Sequence, residues 1–71
     1  MDTNIRLAFG RNLKKYRLKK KLTQEKLAEL SGIDYKYIQK LEGKNPPAVK
    51  IDTIKRLASA FKVEPSALLC K

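Results

Sequence analysis

Residues 27–39 read LAELSGIDYKYIQ, and they bring two stretches of helical hydrophobic spacing together with only three residues between them. Gly32 is well placed to end the first helix, because glycine adopts the left-handed backbone conformation that other residues resist. Ile33 follows, and it can pack back on the helix that ends and forward on the helix that begins. The stretch therefore predicts two short helices held at a fixed angle by a tight turn.

Both helices have recognisable ends. Thr23 is a good N-cap for the first helix, with Leu22 and Leu27 placed to pack against each other as a hydrophobic staple. Asp34 is the expected N-cap of the second helix, and Gly43 offers its stop. The residues that we expect the first helix to turn inward are Leu27, Ala28 and Leu30. Two helices connected in this way form a helix-turn-helix.

The second helix of the pair has two chemically different faces at 100° per residue. Tyr37, Ile38 and Leu41 fall on one side, which we expect to be buried. The side chains on the opposite side are Tyr35, Lys36, Gln39 and Lys40. Such a polar and basic face either binds a partner or is simply solvated.

An N-terminal helix is predicted from about Asn4 to Lys20 by its hydrophobic spacing. Its apolar stripe consists of Ile5, Phe9, Leu13 and Tyr16. Leu7 and Leu18 fall together on the face opposite that stripe. Either the chain termini or a partner subunit cover these two, or nothing does, since single exposed leucines are common.

The segment GKNPPAVK, residues 43–50, leads from the helix-turn-helix to two further helices. Its two prolines bar a helix and stiffen the connection. The fourth helix is predicted from about Ile51 to Lys62 after a poor N-cap at Lys50, and Val63-Glu64-Pro65 signals a short fifth helix. The residues expected to point inward from the fourth helix are Ile51, Ile54, Leu57, Ala58 and Phe61.

The composition favours a binding protein. Residues 1–71 suffice for one small all-α domain, and 17 Lys and Arg against 7 Asp and Glu give a net charge of +10. A polyanion is therefore the leading class of partner. The chain has no His, no glycine-rich phosphate loop and only scattered acids. We therefore expect no enzyme, no metal or cofactor site and no small-molecule ligand.

Two further classes of protein are disfavoured by the sequence. The chain has no apolar run long enough to span a membrane and no secretory signal region, so we expect a cytoplasmic protein. Cys70 is the single cysteine. A lone cysteine excludes an internal disulfide and argues against a thiolate metal site.

The stretch LTQEKLAELSGIDYKYIQKLEGK, residues 22–44, is followed by an amphipathic helix and by FKVEPSALL, residues 61–69. Together they resemble the phage-repressor and Cro type of helix-turn-helix domain, the XRE-like family. The resemblance covers about residues 5–69. It rests on the Thr-Gln start, the Leu-Ala pair, the turn glycine, the Ile-x-x-Leu-Glu ending and the terminal Val-x-x-x-x-Leu-Leu. It implies a compact five-helix, lambda-repressor-like fold and a transcriptional regulator that binds double-stranded DNA at specific sequences.

In that family the second helix of the pair enters the DNA major groove. The resemblance therefore implies base contacts from Tyr35, Lys36, Gln39 and Lys40. A lysine can donate to guanine, Gln39 can pair with adenine, and Tyr35 offers its ring to a thymine methyl or its hydroxyl to a phosphate. Asp34 can accept from cytosine or serve only as the N-cap, and we favour the cap.

The resemblance also implies that Gln24, at the start of the first helix of the pair, meets a DNA phosphate. Further candidates for phosphate contacts are Lys44, Asn45 and Lys50. The Lys19-Lys20-Lys21 run adds to the positive field and complements the end of the N-terminal helix dipole. Arg17 and Glu42 match the arginine and glutamate that form a partly buried ion pair in the family.

A homodimer on an inverted-repeat operator follows from the same resemblance, because one recognition helix reads too few bases to select a site in a genome. We expect the dimer surface at the end of the fourth helix and the C-terminal segment, including Leu68 and Leu69, with Leu7 and Leu18 as the competing patch. Two other functions stay open. An antitoxin of this fold would bind a toxin as well as DNA, and a charge-driven binder would ignore sequence and lose affinity steeply with salt.

Overall fold

Residues 4–70, the part of the chain that this computed structural model describes, form five α-helices joined by turns and loops, with no strand among them. They are α1 (Asn4–Lys19), α2 (Gln24–Ser31), α3 (Tyr35–Leu41), α4 (Ile51–Phe61) and α5 (Pro65–Leu69). The predicted all-α class is confirmed, and α1 and α4 each end one residue before the predicted position. Within the described residues, every helix is too short or too polar to cross a membrane.

One hydrophobic cluster receives side chains from all five helices. Its buried members are Phe9, Leu13, Leu27, Ile38, Leu41, Leu57, Ala58, Phe61 and Leu68. The ring of Tyr16 packs against this cluster and stacks on Phe61, with the ring centroids 5.9 Å apart. Each large apolar side chain contributes about 1.5–3 kcal/mol on burial, so this cluster is the main source of stability. It holds the inner face of α3 and leaves the opposite face outside.

The turn between α2 and α3 has the geometry that the sequence indicates. Gly32 adopts φ +73°, in the left-handed region, and its N–H donates to the Ala28 carbonyl at 2.9 Å. Ser31 is buried beside it, and its hydroxyl donates to the Leu27 carbonyl at 2.7 Å while accepting from the Ile33 N–H at 3.2 Å. Asp34 then caps α3 by accepting from the Lys36 N–H at 3.1 Å. The angle at which α3 leaves the turn is therefore fixed on both sides.

Gly10 lies in the interior of α1, where the helix meets the end of α3. A Cβ at this position would stand 2.2 Å from the carbonyl oxygen of Leu41, well inside van der Waals contact. Glycine is therefore required for space here, even though it costs about 0.5–1 kcal/mol relative to alanine in a helix. The close approach brings the N-terminal half of α1 next to the loop that follows α3.

Two residues that were expected to point inward are exposed. Leu30 of α2 is 51% exposed and Ile51 of α4 is 82% exposed. The buried side of α2 runs through Leu27 and Ser31, one helical turn apart, which leaves Leu30 on its flank. Ile51 is the first residue of α4, and its helix turns Leu57 and its neighbours to the core instead. The prediction from hydrophobic periodicity was wrong at these two positions. Periodicity shows which residues of a helix are apolar, but it does not show whether another helix packs over them.

Candidate nucleic-acid interface

The outer face of α3 carries the four predicted base-reading residues. Tyr35, Lys36, Gln39 and Lys40 are all exposed, whereas Ile38 and Leu41 on the other face are completely buried. Within residues 4–70, neither lysine of α3 forms an ion pair with an acid. The structure thus presents two cationic side chains, an amide and a phenol from one rigid helix. These groups can donate to the acceptors that bases expose in the major groove.

Tyr35 and Gln39 of this face are linked to each other. They are one helical turn apart, and Gln39 Nε2 donates to the Tyr35 hydroxyl at 3.1 Å. Residues separated by four positions are neighbours on a helix surface, so the pair is compatible with the regular geometry of α3. The spacing of the two residues could have suggested this hydrogen bond, but the sequence alone did not predict it.

Arg17 of α1 and Glu42 at the end of α3 form a two-pronged ion pair. Arg17 donates through Nε to Glu42 Oε2 at 2.9 Å and through Nη2 to Glu42 Oε1 at 3.0 Å. The two side chains are 10% and 4% exposed, respectively. Arg17 also donates through Nη1 to the Leu22 carbonyl at 2.9 Å, so it connects α1, the α1–α2 connection and α3.

The environment of Arg17 keeps it charged. The hydrogen bond to Glu42 raises the pKa of the Arg17 guanidinium above its ordinary value, and the negative charge of Glu42 acts in the same direction. Partial burial opposes both effects without cancelling them. Arg17 therefore keeps its positive charge in the ion pair.

Gln24, a predicted phosphate contact, belongs to the same network. Its Nε2 donates to Glu42 Oε1 at 3.1 Å, which holds the side chain at the N-terminus of α2. One N–H of the amide remains for another acceptor, because a glutamine amide has two donors. The first turn of a helix also presents unsatisfied backbone N–H groups. This end of α2 can therefore accept an anion.

The loop of residues 42–50 carries the other predicted phosphate contacts. Lys44, Asn45 and Lys50 are exposed. Pro46 is buried, and the Tyr37 hydroxyl donates to the Ala48 carbonyl at 2.9 Å. The hydrogen bond from Tyr37 thus connects the loop to α3, while the polar side chains of the loop remain exposed.

Sequence reasoning missed Arg6 as a possible member of this surface. Arg6 lines a groove together with Lys44, Asn45 and the two prolines of the loop. The groove exists because Gly10 lets α1 approach the end of α3. The only signal in the sequence for the close approach of α1 to the end of α3 was a glycine inside a predicted helix. Glycine destabilises a helix interior, so its presence there indicates a compensating contact.

The described residues contain no cluster of three or more His, Cys, Asp or Glu side chains that could hold a metal ion. A glycine-fixed turn, a buried inner face on α3 and an outer face with exposed lysines define a helix-turn-helix DNA-binding protein. Residues 13–68 match the family model described as helix-turn-helix, and the chain belongs to this family. It is a sequence-specific transcriptional regulator that binds double-stranded DNA.

The chain is similar to two named proteins, one by sequence and one by structure. The chain is 37% identical over 70 residues to the control protein C.BamHI of Bacillus amyloliquefaciens, an alignment that covers 97% of this chain and 85% of the relative. The structure of this chain matches the crystal structure of the restriction-modification controller protein C.AhdI from Aeromonas hydrophila with a TM-score of 0.83 and 38% identity. That match covers 89% of this chain and 94% of C.AhdI.

Proposed function

We propose that this regulator is a controller of restriction-modification genes that binds an inverted-repeat operator as a homodimer. The observation that carries the proposal is the outer face of α3, with its two exposed lysines, in a chain similar to a control protein and a controller protein over nearly its whole length. A regulator of bacterial genes acts in the cytoplasm, where the DNA is. The two relatives are named as a control protein and a controller protein, and this supports the controller role over that of an antitoxin.

The proposed readout divides the interface into two kinds of contact. Lys36 and Lys40 donate to guanine O6 and N7, and Gln39 pairs with adenine. The phosphate contacts come from Gln24, Lys44, Asn45 and Lys50. Phosphate contacts fix the register of α3 in the groove, and base contacts select the sequence. Asp34 already accepts a hydrogen bond within its own helix, which supports the cap as its role.

Dimerisation is proposed through the exposed apolar side chains where α4, α5 and the start of α1 meet. These side chains belong to Ile5, Ile51 and Leu69, beside the half-buried Ile54 and Val63. The expected contribution of Leu68 is wrong, because Leu68 is completely buried in the core. Leu7 of the competing patch is half-buried and lines the groove with the two prolines, which leaves Leu18 alone on that face.

The C-terminal segment is held firmly enough to take part in such an interface. Asn12 of α1 donates through Nδ2 to the Leu68 carbonyl at 2.9 Å and also to the Cys70 carbonyl. A two-fold interface brings the same surface of each copy together, so every apolar side chain counts twice. A groove lined by Ile51, Ile54, Val63 and Leu69 offers space for a side chain of the second copy.

Replacing Ile51 by glutamate is expected to weaken the dimer at least about a hundredfold. Burial of one isoleucine contributes about 1.5–3 kcal/mol, and the substitution acts on both copies of a two-fold interface. Ile51 is 82% exposed in one chain, so the change leaves the fold intact. Sedimentation equilibrium over a range of concentrations measures the dissociation constant, and circular dichroism verifies the helix content.

Leu18→Glu is the matched control for this experiment. Leu18 is 57% exposed on α1, and the change introduces the same charge on the competing patch. The proposal expects it to leave the dimer unchanged. A wild-type protein that stays monomeric at every concentration would contradict the proposal, as would dissociation by Leu18→Glu but not by Ile51→Glu.

A further inference from the structure

The hydrogen bond between Gln39 and Tyr35 joins two side chains that both face the DNA in the proposed complex. A glutamine amide has two N–H donors and one carbonyl acceptor. Tyr35 occupies one of the two donors. The second N–H and Oε1 remain free, and these are the groups that pair with adenine N7 and N6. The link to Tyr35 therefore costs Gln39 none of its capacity to read adenine.

The hydroxyl of Tyr35 can donate one hydrogen and can accept as well. In this structure it accepts from Gln39, so its own hydrogen is available to an acceptor outside the protein. Phosphate oxygens only accept hydrogen bonds. If the Tyr35 hydrogen goes to a phosphate, the hydroxyl can serve Gln39 only as an acceptor. The amide nitrogen must then face Tyr35, and Oε1 must face away from it.

We propose that Tyr35 is a positioning residue for Gln39. Its hydroxyl donates to a DNA phosphate and thereby fixes the orientation of the Gln39 amide, which selects adenine. Guanine presents two adjacent acceptors, N7 and O6, in the major groove. Against a fixed amide, the guanine O6 would face Oε1, and two acceptors repel each other. A freely rotating amide could avoid this by turning Oε1 towards the Tyr35 hydroxyl, so that only its N–H groups face the two guanine acceptors. The inference rests on the proposed function, because it needs an operator that α3 reads.

Tyr35→Phe tests this role with the smallest possible change, because it removes only the hydroxyl. The dissociation constant is measured for the operator that the wild type selects and for every single base-pair variant of it. A good bidentate contact gives about 5-fold to 150-fold preference for its base pair. We expect Tyr35→Phe to lose most of the preference for adenine over guanine at one base pair, the same one affected by Gln39→Ala. The preferences at the other base pairs stay at their wild-type values.

Two additional readouts separate positioning from a general loss of binding. The Tyr35→Phe/Gln39→Ala double variant is expected to show no less preference at that base pair than Gln39→Ala alone, because both changes remove one unit. The dependence of affinity on salt is expected to remain that of the wild type, since no cation is removed. Tyr16→Phe is the matched control, because Tyr16 belongs to α1 and lies half-buried with its ring stacked on Phe61.

Two results would overturn the inference while leaving the proposed function standing. Tyr35→Phe could retain the full preference at every base pair, or it could lose preference equally at all of them. If Gln39→Ala altered no preference for adenine, both the inference and the proposed adenine contact of Gln39 would be wrong, while operator binding by α3 would remain. A wild-type protein that selects no operator would instead overturn the proposed function, and the inference with it.

Discussion

Gly10→Ala is expected to destabilise the protein by about 3 kcal/mol or more, at the upper end of what overpacking costs. The new Cβ would stand 2.2 Å from the Leu41 carbonyl oxygen, 3.3 Å from its carbonyl carbon and 3.7 Å from the Cα of Glu42. All three are backbone atoms, so no side chain can rotate away to make room. Relief requires α1 and α3 to separate, which also strains the bond between Arg17 and Glu42.

Thermal or urea unfolding measures this effect, and Gly43→Ala provides the control. At Gly43 the nearest atoms to a new Cβ are carbonyl oxygens at 3.4 Å, a distance that a small adjustment can accommodate. For a domain of this size, 1 kcal/mol corresponds to about 4–8 °C in melting temperature. The Gly10 variant should therefore melt at least about 10 °C below the wild type, and the Gly43 variant close to it. Equal melting temperatures for Gly10→Ala and the wild type would show that the close contact is not there.

Arg17→Ala is expected to destabilise the protein by about 3–5 kcal/mol, the cost of leaving one charge of a buried pair without its partner. Glu42 is 4% exposed at its side chain and accepts both hydrogen bonds of the Arg17 fork. Without Arg17 only the amide of Gln24 remains on that carboxylate. The Leu22 carbonyl also loses its donor, so the α1–α2 connection becomes less well fixed.

Two further variants give this result a specific meaning. The Arg17→Ala/Glu42→Ala double variant is expected to be no less stable than Arg17→Ala, because it removes the stranded charge as well. Lys26→Ala removes an exposed ion pair, between Lys26 and Glu29, whose side chains are 54% and 70% exposed. An exposed pair contributes about 0–1 kcal/mol, so this control should melt near the wild type. An Arg17→Ala protein with the melting temperature of the wild type would contradict the role given to the ion pair.

Local patterns were sufficient to predict the helix-turn-helix. The turn depends on Gly32 and Asp34, and both act through backbone geometry within a few residues of themselves. The two faces of α3 follow from helical periodicity, which places Ile38 and Leu41 on the same side of the helix, and both are buried. These features need no knowledge of distant parts of the chain.

The features that the sequence did not predict depend on tertiary contacts. Packing between helices determines that Leu30 and Ile51 are exposed and that Leu68 is buried. The position of Arg6 beside the loop depends on the approach that Gly10 permits. The hydrogen bond from Gln24 to Glu42 joins the first residue of α2 to the C-cap of α3. Hydrophobic spacing within one helix carries no information about such pairs.

Sequence-specific binding by α3 is tested by selection of bound sequences from random duplex DNA at about 0.15 M salt, followed by competition against scrambled DNA. We expect an enriched inverted repeat whose half-sites lie about one helical turn, or 34–36 Å, apart. We also expect Lys36→Ala and Lys40→Ala each to change the preference at particular base pairs. Absence of enrichment, with salt-sensitive binding to every duplex, would contradict the account and leave only attraction by the net charge of +10.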